Sequence, residues 1–247
     1  MSEFSAVDAA AEPARLVAYL DQVGLTAMRH YMAVTHAQCD TALVLDIGCG
    51  IGRDIAVLDE LGVAAIGVDP SSFMLRTAAS RGRSPLARAT AEQLPFPDDV
   101  FSGCLVQRVL MHVDDPATLI AEAVRCVQPD GVMTIFEPDW STLHVNGSPV
   151  PPWWTNTAKH PSVGGKVGEL LTAAGCTIRD RVEERSWWTF DEFERIINPQ
   201  RHADRAVEAG VATRSDVEAW LAEQHRQAAA NDFRAGMAKI LWVATAP

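Results

Sequence analysis

In VLDIGCGIGRD, Val44 to Asp54, a short apolar run ends in an acid and passes into glycines at positions 48, 50 and 52. Ala42 to Asp46 suits a strand buried on both faces, and Asp54 to Leu61 a helix that follows it. Glycines between a strand and a helix let the backbone turn tightly and approach a ligand closely. The next apolar run, Ala64 to Val68, reads as a second buried strand and ends in Asp69-Pro70. Asp69 stands about 20 residues beyond Gly48, where a carboxylate can accept from both ribose hydroxyls of a nucleoside. Triplet, strand context and spaced acid together predict a nucleoside-containing cofactor.

Working outward, Ser71-Ser72 is an N-cap signal for a helix over Phe73 to Ser80. A third strand is expected around Leu86 to Ala89, a fourth from Val100 to Val106, a helix from Pro116 to Val127 and a fifth strand from Val132 to Phe136. Such alternation predicts an α/β fold with a Rossmann-like, doubly wound, mostly parallel sheet, because each parallel connection must cross over and cover the sheet. Seven strands are expected. Residues 138 to 161, with Pro149, Pro151, Pro152 and Pro161, read as a long ordered loop or lid, and a helix resumes from Val163 to Ala174, closed by Gly175. Cys176 to Glu184 and Lys239 to Thr245 suit the last two strands, with a helical insertion over 191 to 236 between them. Upstream, apolar spacing through Leu16, Tyr19, Leu20 and Val23 predicts one or two helices over residues 12 to 38.

Composition narrows the partners. Lys+Arg 21 against Asp+Glu 32 leaves a net charge of −11 in 247 residues, with no basic run. A chain this acidic repels a polyanion, so no nucleic-acid partner is expected. The five cysteines are widely spaced with no C-x-x-C pair, so neither a disulfide framework nor a zinc site is expected. The N-terminal residues lack a long apolar run, which argues against a secretory signal or membrane span and for a cytoplasmic setting without a membrane partner. Nothing marks a self-complementary interface, and oligomeric state stays open.

The cofactor reading turns on Arg53, which occupies the third-glycine position of G-x-G-x-x-G counted from Gly48. That disfavours a dinucleotide. A nicotinamide dehydrogenase is further disfavoured by the lack of a Tyr-x-x-x-Lys type site. S-adenosylmethionine has no pyrophosphate and needs close backbone approach along its methionine part and an acid near its amine, for which Asp46 is the candidate. VLDIGCGIGRD, GVDPSSFML (Gly67 to Leu75), AEQLPFPDDVF (Ala91 to Phe101), VLMHVDDP (Val109 to Pro116) and RCVQPDGVMTIFEPDW (Arg125 to Trp140) together resemble the class I S-adenosylmethionine-dependent methyltransferases. The resemblance is to the type 11 and type 25-like domains of the small-molecule branch that includes the ubiquinone and menaquinone biosynthesis enzymes. It covers roughly residues 40 to 140 well and the rest loosely.

The resemblance implies that the loop of Gly48, Cys49, Gly50 and Gly52 wraps the methionine and ribose. It puts Asp69 and Pro70 at the ribose, and Met74, Thr90, Ala91 and Glu92 around the adenine, with Gln107 beneath the methionine part. The family usually has an acid at the Thr90 position, and Pro129-Asp130-Gly131 replaces its Pro-Gly-Gly turn. Tyr19 and Tyr31 are candidates to fold over the cofactor or to serve as core aromatics. For the acceptor side, His112 is the first candidate base, with His144 and His160 behind it, and it has an alternative reading as a loop anchor. Glu137 and Asp139 follow the fifth strand, where open α/β sheets place functional groups, and either orient substrate or cap a loop; Trp153 and Trp154 either wall an apolar pocket or pack in the core or lid. A carboxylate cluster for a metal cannot be assembled, and Gln107-Arg108-Val109-Leu110 lacks the Asn/Asp-Pro-Pro-aromatic motif of nucleic-acid amino-methyltransferases.

These readings imply one methyltransferase domain over 1–247, with a helical lid over 1–40, a cofactor-binding core over 41–140 and a substrate-side lid, helical insertion and last strands over 141–247. The expected activity is methyl transfer from S-adenosylmethionine, leaving S-adenosylhomocysteine, to a small molecule in secondary metabolism. A hydroxyl or activated carbon is preferred as acceptor and an amine is possible. The alternative is a protein that binds the cofactor without methylating.

Overall fold

The computed structural model describes residues 26–38, 42–154 and 158–247. Tyr19, Cys39 and the N-terminal part of the expected lid lie outside the described residues.

Helix α1 (Thr26–Gln38) leads into β1 (Leu43–Ile47), α2 (Arg53–Glu60), β2 (Ala64–Val68), α3 (Ser72–Ser80) and the short β3 (Leu86–Ala87). β4 (Phe101–Gln107), α4 (Pro116–Cys126), β5 (Val127–Val145), β6 (Ser148–Pro149) and α5 (Val163–Ala173) follow. The chain ends with β7 (Thr177–Trp188), α6 (Phe190–Ile197), α7 (Pro199–Glu208), α8 (Arg214–Ala229) and β8 (Ala235–Thr245). The main sheet has the order β3-β2-β1-β4-β5-β8-β7, with β6 paired to β5. β3 to β5 are parallel, while β8 runs antiparallel to both β5 and β7.

Strand periodicity sorts the core into two layers. Leu45, Ile47, Cys104, Val106, Met133 and Ile135 face α4 and α5, meeting Leu119, Ile120, Val167 and Leu171. Val44, Ala65, Leu105 and Phe136 face the other way, onto Met32 of α1 and Ile55 and Leu58 of α2. Successive strand residues point to opposite faces, so uninterrupted apolar runs are what a sheet covered on both sides requires. The local stops work as the sequence predicts: Ser71 Oγ accepts from Met74 N at 3.2 Å to cap α3, and Asp115 caps α4 with Pro116 at its first position. The order reverses between β1 and β4, and at such a switch point the strand ends leave a crevice.

Two expectations are corrected. β5 does not stop at Phe136 before a lid over 138–161 but continues to Val145, turning at Asn146-Gly147 with φ of +52° and +78°. Pro138 cannot end the strand, because its missing N–H costs nothing where β8 pairs opposite it at Lys239, and the pairing itself slips between Asp139 and His144. β7 and β8 are correspondingly longer than expected, reaching Trp188 and beginning at Ala235. The strand extensions carry the helical insertion: Leu143, Val145, Trp188, Phe193, Phe233 and Met237 form a separate apolar cluster under α6 to α8.

α1 is fastened by a histidine. His36 is fully buried, with Nε2 3.0 Å from Thr134 Oγ1, and its ring lies where a Cβ on Gly103 would come within 2.9 Å. Burial lowers its pKa to about 4. The folded protein therefore holds the ring neutral while the unfolded chain protonates it near pH 6.5, so this contribution to stability is lost as pH falls from about 6.5 towards 4. His36→Gln keeps a partner for Thr134 without titrating. In paired melts, wild type should lose stability relative to this variant across that window, by up to about 1.4 kcal/mol per pH unit; parallel curves would refute it.

Candidate cofactor and acceptor site

The β1–α2 loop is held against β2 by its own backbone. Gly48 N and Cys49 N both donate to Val68 O, at 2.8 and 2.9 Å. Gly48 has φ +73°, and a Cβ there would stand 2.3 Å from Val109 Cγ2, so the β4 tip can approach only a glycine. Gly50 N donates to Asp69 Oδ2 at 3.0 Å, and Ser71 N donates to Oδ1 at 2.8 Å. The Asp69 carboxylate thus clamps the glycine loop to the entrance of α3. A Cβ on Gly50, at φ +52°, would meet no heavy atom within 4 Å.

That open side gives onto a cavity of about 1380 Å³. Its lower wall brings together Gly48, Cys49, Gly50, Asp69, Pro70, Met74, Thr90, Ala91, Glu92, Gln107 and His112. Ordinary small-molecule sites occupy roughly 300–1,000 Å³, so this space has room for a cofactor and a second molecule. The upper wall comes from α6 and α7 through Ile196, Ile197, Arg195, Arg201, His202 and Arg205, with Trp140 and Met111 beside them.

Other expected residues lie elsewhere. Gly52 packs α2 towards α3, where a Cβ would meet Arg83 Cγ at 2.6 Å. Tyr31 does not face the cavity; its hydroxyl donates to Asp180 of β7 at 3.0 Å. Of the two readings of Trp153 and Trp154 the structure shows packing: they join an aromatic cluster, with Trp154 stacked on His202 at 4.3 Å and Trp153 edge-on to Trp220 at 5.6 Å, and neither lines the cavity. His144 Nδ1 lies 2.6 Å from Thr142 O, Asp139 accepts from Ser141 N at 3.1 Å, and His160 Nε2 lies 3.3 Å from Asp114 O. Neither His144 nor Asp139 lines the cavity, because the continued β5 turns this segment into sheet.

Asp46 is buried beneath the loop rather than on the cavity wall. Burial pushes its carboxyl well above the usual range, Asp54 and Asp69 push the same way, and Arg29 opposes them. Arg29 lines the cavity from α1 and pairs with Asp54, Nε to Oδ1 3.0 Å. Sequence reading missed Arg29 as well as Arg108 and the arginines of α6 and α7.

Glu137 lies under the β4 tip, fully buried, and Oε1 accepts from Val109 N at 2.6 Å and Leu110 N at 2.7 Å. Burial raises its pKa to about 8, although both N–H groups and Arg108 pull it down. The folded state favours the protonated acid while the unfolded chain ionises near 4.5, so stability falls as pH rises from about 4.5 to about 8. Glu137→Gln mimics the neutral acid. Its stability should match wild type near pH 5 and exceed it near pH 8; a constant difference in urea midpoints would contradict this.

The donor set fits a nucleoside bearing an amino-acid arm. Gly50 leaves backbone open to the cavity, Asp69 presents carboxylate oxygens at its edge, and Gln107 Nε2 is buried without a partner among the described residues. Residues 45–135 match the family model described as a methyltransferase domain. Over that stretch the chain is similar to the class I S-adenosylmethionine-dependent methyltransferases, whose cofactor is S-adenosylmethionine. An uncharacterized 37.1 kDa protein in transposon Tn4556 of Streptomyces fradiae is 29% identical over 83% of the chain and 65% of its own length. An uncharacterized methyltransferase of Mycobacterium sp. is 30% identical over 52% of each. The chain thus spans less than two thirds of the length of these relatives.

Among solved structures, the YcgJ protein of Bacillus subtilis superposes with a TM-score of 0.62 at 19% identity, over 88% of this chain and 97% of that one. The [4+2]-cyclase SpnF gives 0.54 at 21% identity, over 88% and 79%. At such identities the likeness shows the fold, a methyltransferase-type sheet. The kinship is at the level of the type 11 domain and does not single out the ubiquinone and menaquinone branch. Among the described residues, no group of acids, cysteines and histidines is placed to hold a metal ion, and no helix is long and apolar enough to cross a membrane.

Proposed function

We propose that this chain transfers the methyl group of S-adenosylmethionine to a small organic acceptor, a hydroxyl or activated carbon before an amine. The observation that supports it best is the Asp69 clamp on Gly50 at the edge of a cavity larger than the cofactor needs. In this reading Asp69 takes the ribose hydroxyls, the Gly48–Gly50 backbone lies along the methionine part, Gln107 Nε2 donates to its polar end, and Met74, Thr90 and Ala91 line the adenine. S-adenosylmethionine supplies a methyl already activated on a sulfonium, so the protein has mainly to hold the acceptor in line and keep water out. In this reading α6 and α7, which line the cavity opposite the loop, act as the lid that does so. For a hydroxyl acceptor, the His112 ring takes the proton. Secondary metabolism is the proposed setting, in the cytoplasm, with no nucleic-acid or membrane partner.

The test is calorimetric titration with S-adenosylmethionine, S-adenosylhomocysteine and NAD, followed by an acceptor screen. Saturable binding of the two adenosyl compounds alone supports the reading, and binding of NAD alone overturns it. His112→Ala should leave cofactor affinity within about twofold and cut turnover by ~100-fold or more if the ring is the base; full turnover returns His112 to the anchoring role. A second reading, binding without methylation, draws on the likeness in fold to the [4+2]-cyclase SpnF. Cofactor binding without S-adenosylhomocysteine formation across the screen would favour it.

A further inference from the structure

The cavity has a cationic rim in an acidic chain. Arg195 stands in the last turn of α6, and Arg201 and Arg205 stand one turn apart on α7, all three on the cavity wall. Asp204, on the same helix α7, is held by Arg214 at 2.8 Å and by Gln200 at 3.1 Å. Arg195 acts on Glu192, one turn earlier on α6, through charge without a salt bridge, and among the described residues no salt bridge holds Arg201.

Other acids that line the cavity have partners of their own. Asp114 pairs with Lys159 at 2.6 Å, Asp115 accepts from Ala117 N at 3.0 Å and Thr118 Oγ1 at 2.7 Å, and Glu92 accepts from Asp114 N at 3.1 Å. Arg108, at φ +60° on the β4 tip, adds a further cation to the same cavity. Between these charges the wall is apolar, through Ile196, Ile197 and Met111.

We infer that the methyl acceptor is an organic acid, an apolar body carrying a carboxylate or phosphate that Arg195 and Arg201 bind at the α6–α7 rim of the cavity. The inference rests on the methyl-transfer reading and names its substrate class. Guanidinium groups match the two oxygens of such an anion with paired N–H donors, and a local cationic rim offsets the repulsion of an acidic surface. Turning the anion to the rim leaves the rest of the molecule to point down past the apolar wall towards Gln107 and His112.

The experiment uses the full chain saturated with S-adenosylhomocysteine, whose own titration comes first. Benzoate, its uncharged counterpart benzamide and inorganic pyrophosphate are then titrated by calorimetry into wild type, R195Q/R201Q and R195K/R201K. Benzoate should bind at least tenfold more tightly than benzamide. That preference should fall to within threefold in the glutamine variant and survive in part in the lysine variant, while S-adenosylhomocysteine binds all three proteins alike. Pyrophosphate bound more tightly than benzoate, with the same dependence on the two arginines, assigns the anion as phosphate. Equal binding of benzoate and benzamide, or an undiminished preference in the glutamine variant, overturns the assignment. Absence of S-adenosylhomocysteine binding to wild type overturns the methyl-donor reading, and this one with it.

Discussion

Asp69→Ala should weaken binding of S-adenosylmethionine strongly and lower stability together. The carboxylate is almost wholly buried, and its two oxygens accept from Gly50 N at 3.0 Å and Ser71 N at 2.8 Å. Each buried donor left without an acceptor costs about 1–3 kcal/mol, so the variant should lose several kcal/mol through the loop and the start of α3 alone. Affinity should fall by ~100-fold or more, about 2.7 kcal/mol, because the same change removes the proposed ribose acceptor and loosens the backbone that faces it. Asp69→Asn separates the two effects. Its amide oxygen can still accept from one N–H, while its NH2 faces the other as a second donor, so part of the stability should return and little of the affinity. Melts and titrations of both variants check this; Asp69→Ala binding the cofactor like wild type would remove Asp69 from the site.

Alanine at Gly48 and at Gly50 should give opposite results, although both glycines have positive φ. Either substitution forces an L-residue into the left-handed region at about 1–2 kcal/mol. At Gly48 the new methyl also meets Val109 Cγ2 at 2.3 Å, and Val109 cannot retreat freely because its N–H is held by Glu137 Oε1 at 2.6 Å. Overpacking of this kind adds about 1–3 kcal/mol, so Gly48→Ala should be the less stable protein and should also displace the β4 tip that carries Gln107. At Gly50 nothing lies within 4 Å of the new methyl, which stands in the cavity instead. Gly50→Ala should therefore keep most of its stability and lose cofactor affinity by ~10-fold or more, about 1.4 kcal/mol. Unchanged affinity in Gly50→Ala would mean that the cofactor does not lie along this loop.

The sheet and the cofactor side of the cavity were legible in the sequence because their signals are local. A strand buried on both faces, glycines where the backbone must reverse and an acid at the end of the next strand each depend on neighbours a few residues away. Thus Val44 to Asp54 and Asp69 marked segments that the fold brings together at one cavity, and the helical insertion between the last two strands was visible in its apolar spacing. What only the tertiary structure decided depends on which distant segments meet. Pro138 looked like the end of a strand, but β8 opposite it needs no N–H there, and β5 runs on to Val145. That extension carries Trp153 and Trp154 into an aromatic cluster and makes α6 and α7 the roof of the cavity. Glu137 could be read as orienting substrate or as capping a loop, and the fold decides for the loop, since it holds Val109 and Leu110 and burial depth is a property of the whole sheet. The rim arginines gave no local sign of lining the same cavity as Asp69, because nothing near them in sequence records which distant strand ends they cover. Chain patterning determined what each element is and where the cofactor loop lies, whereas the packing of β5, β7 and β8 determined what stands opposite that loop.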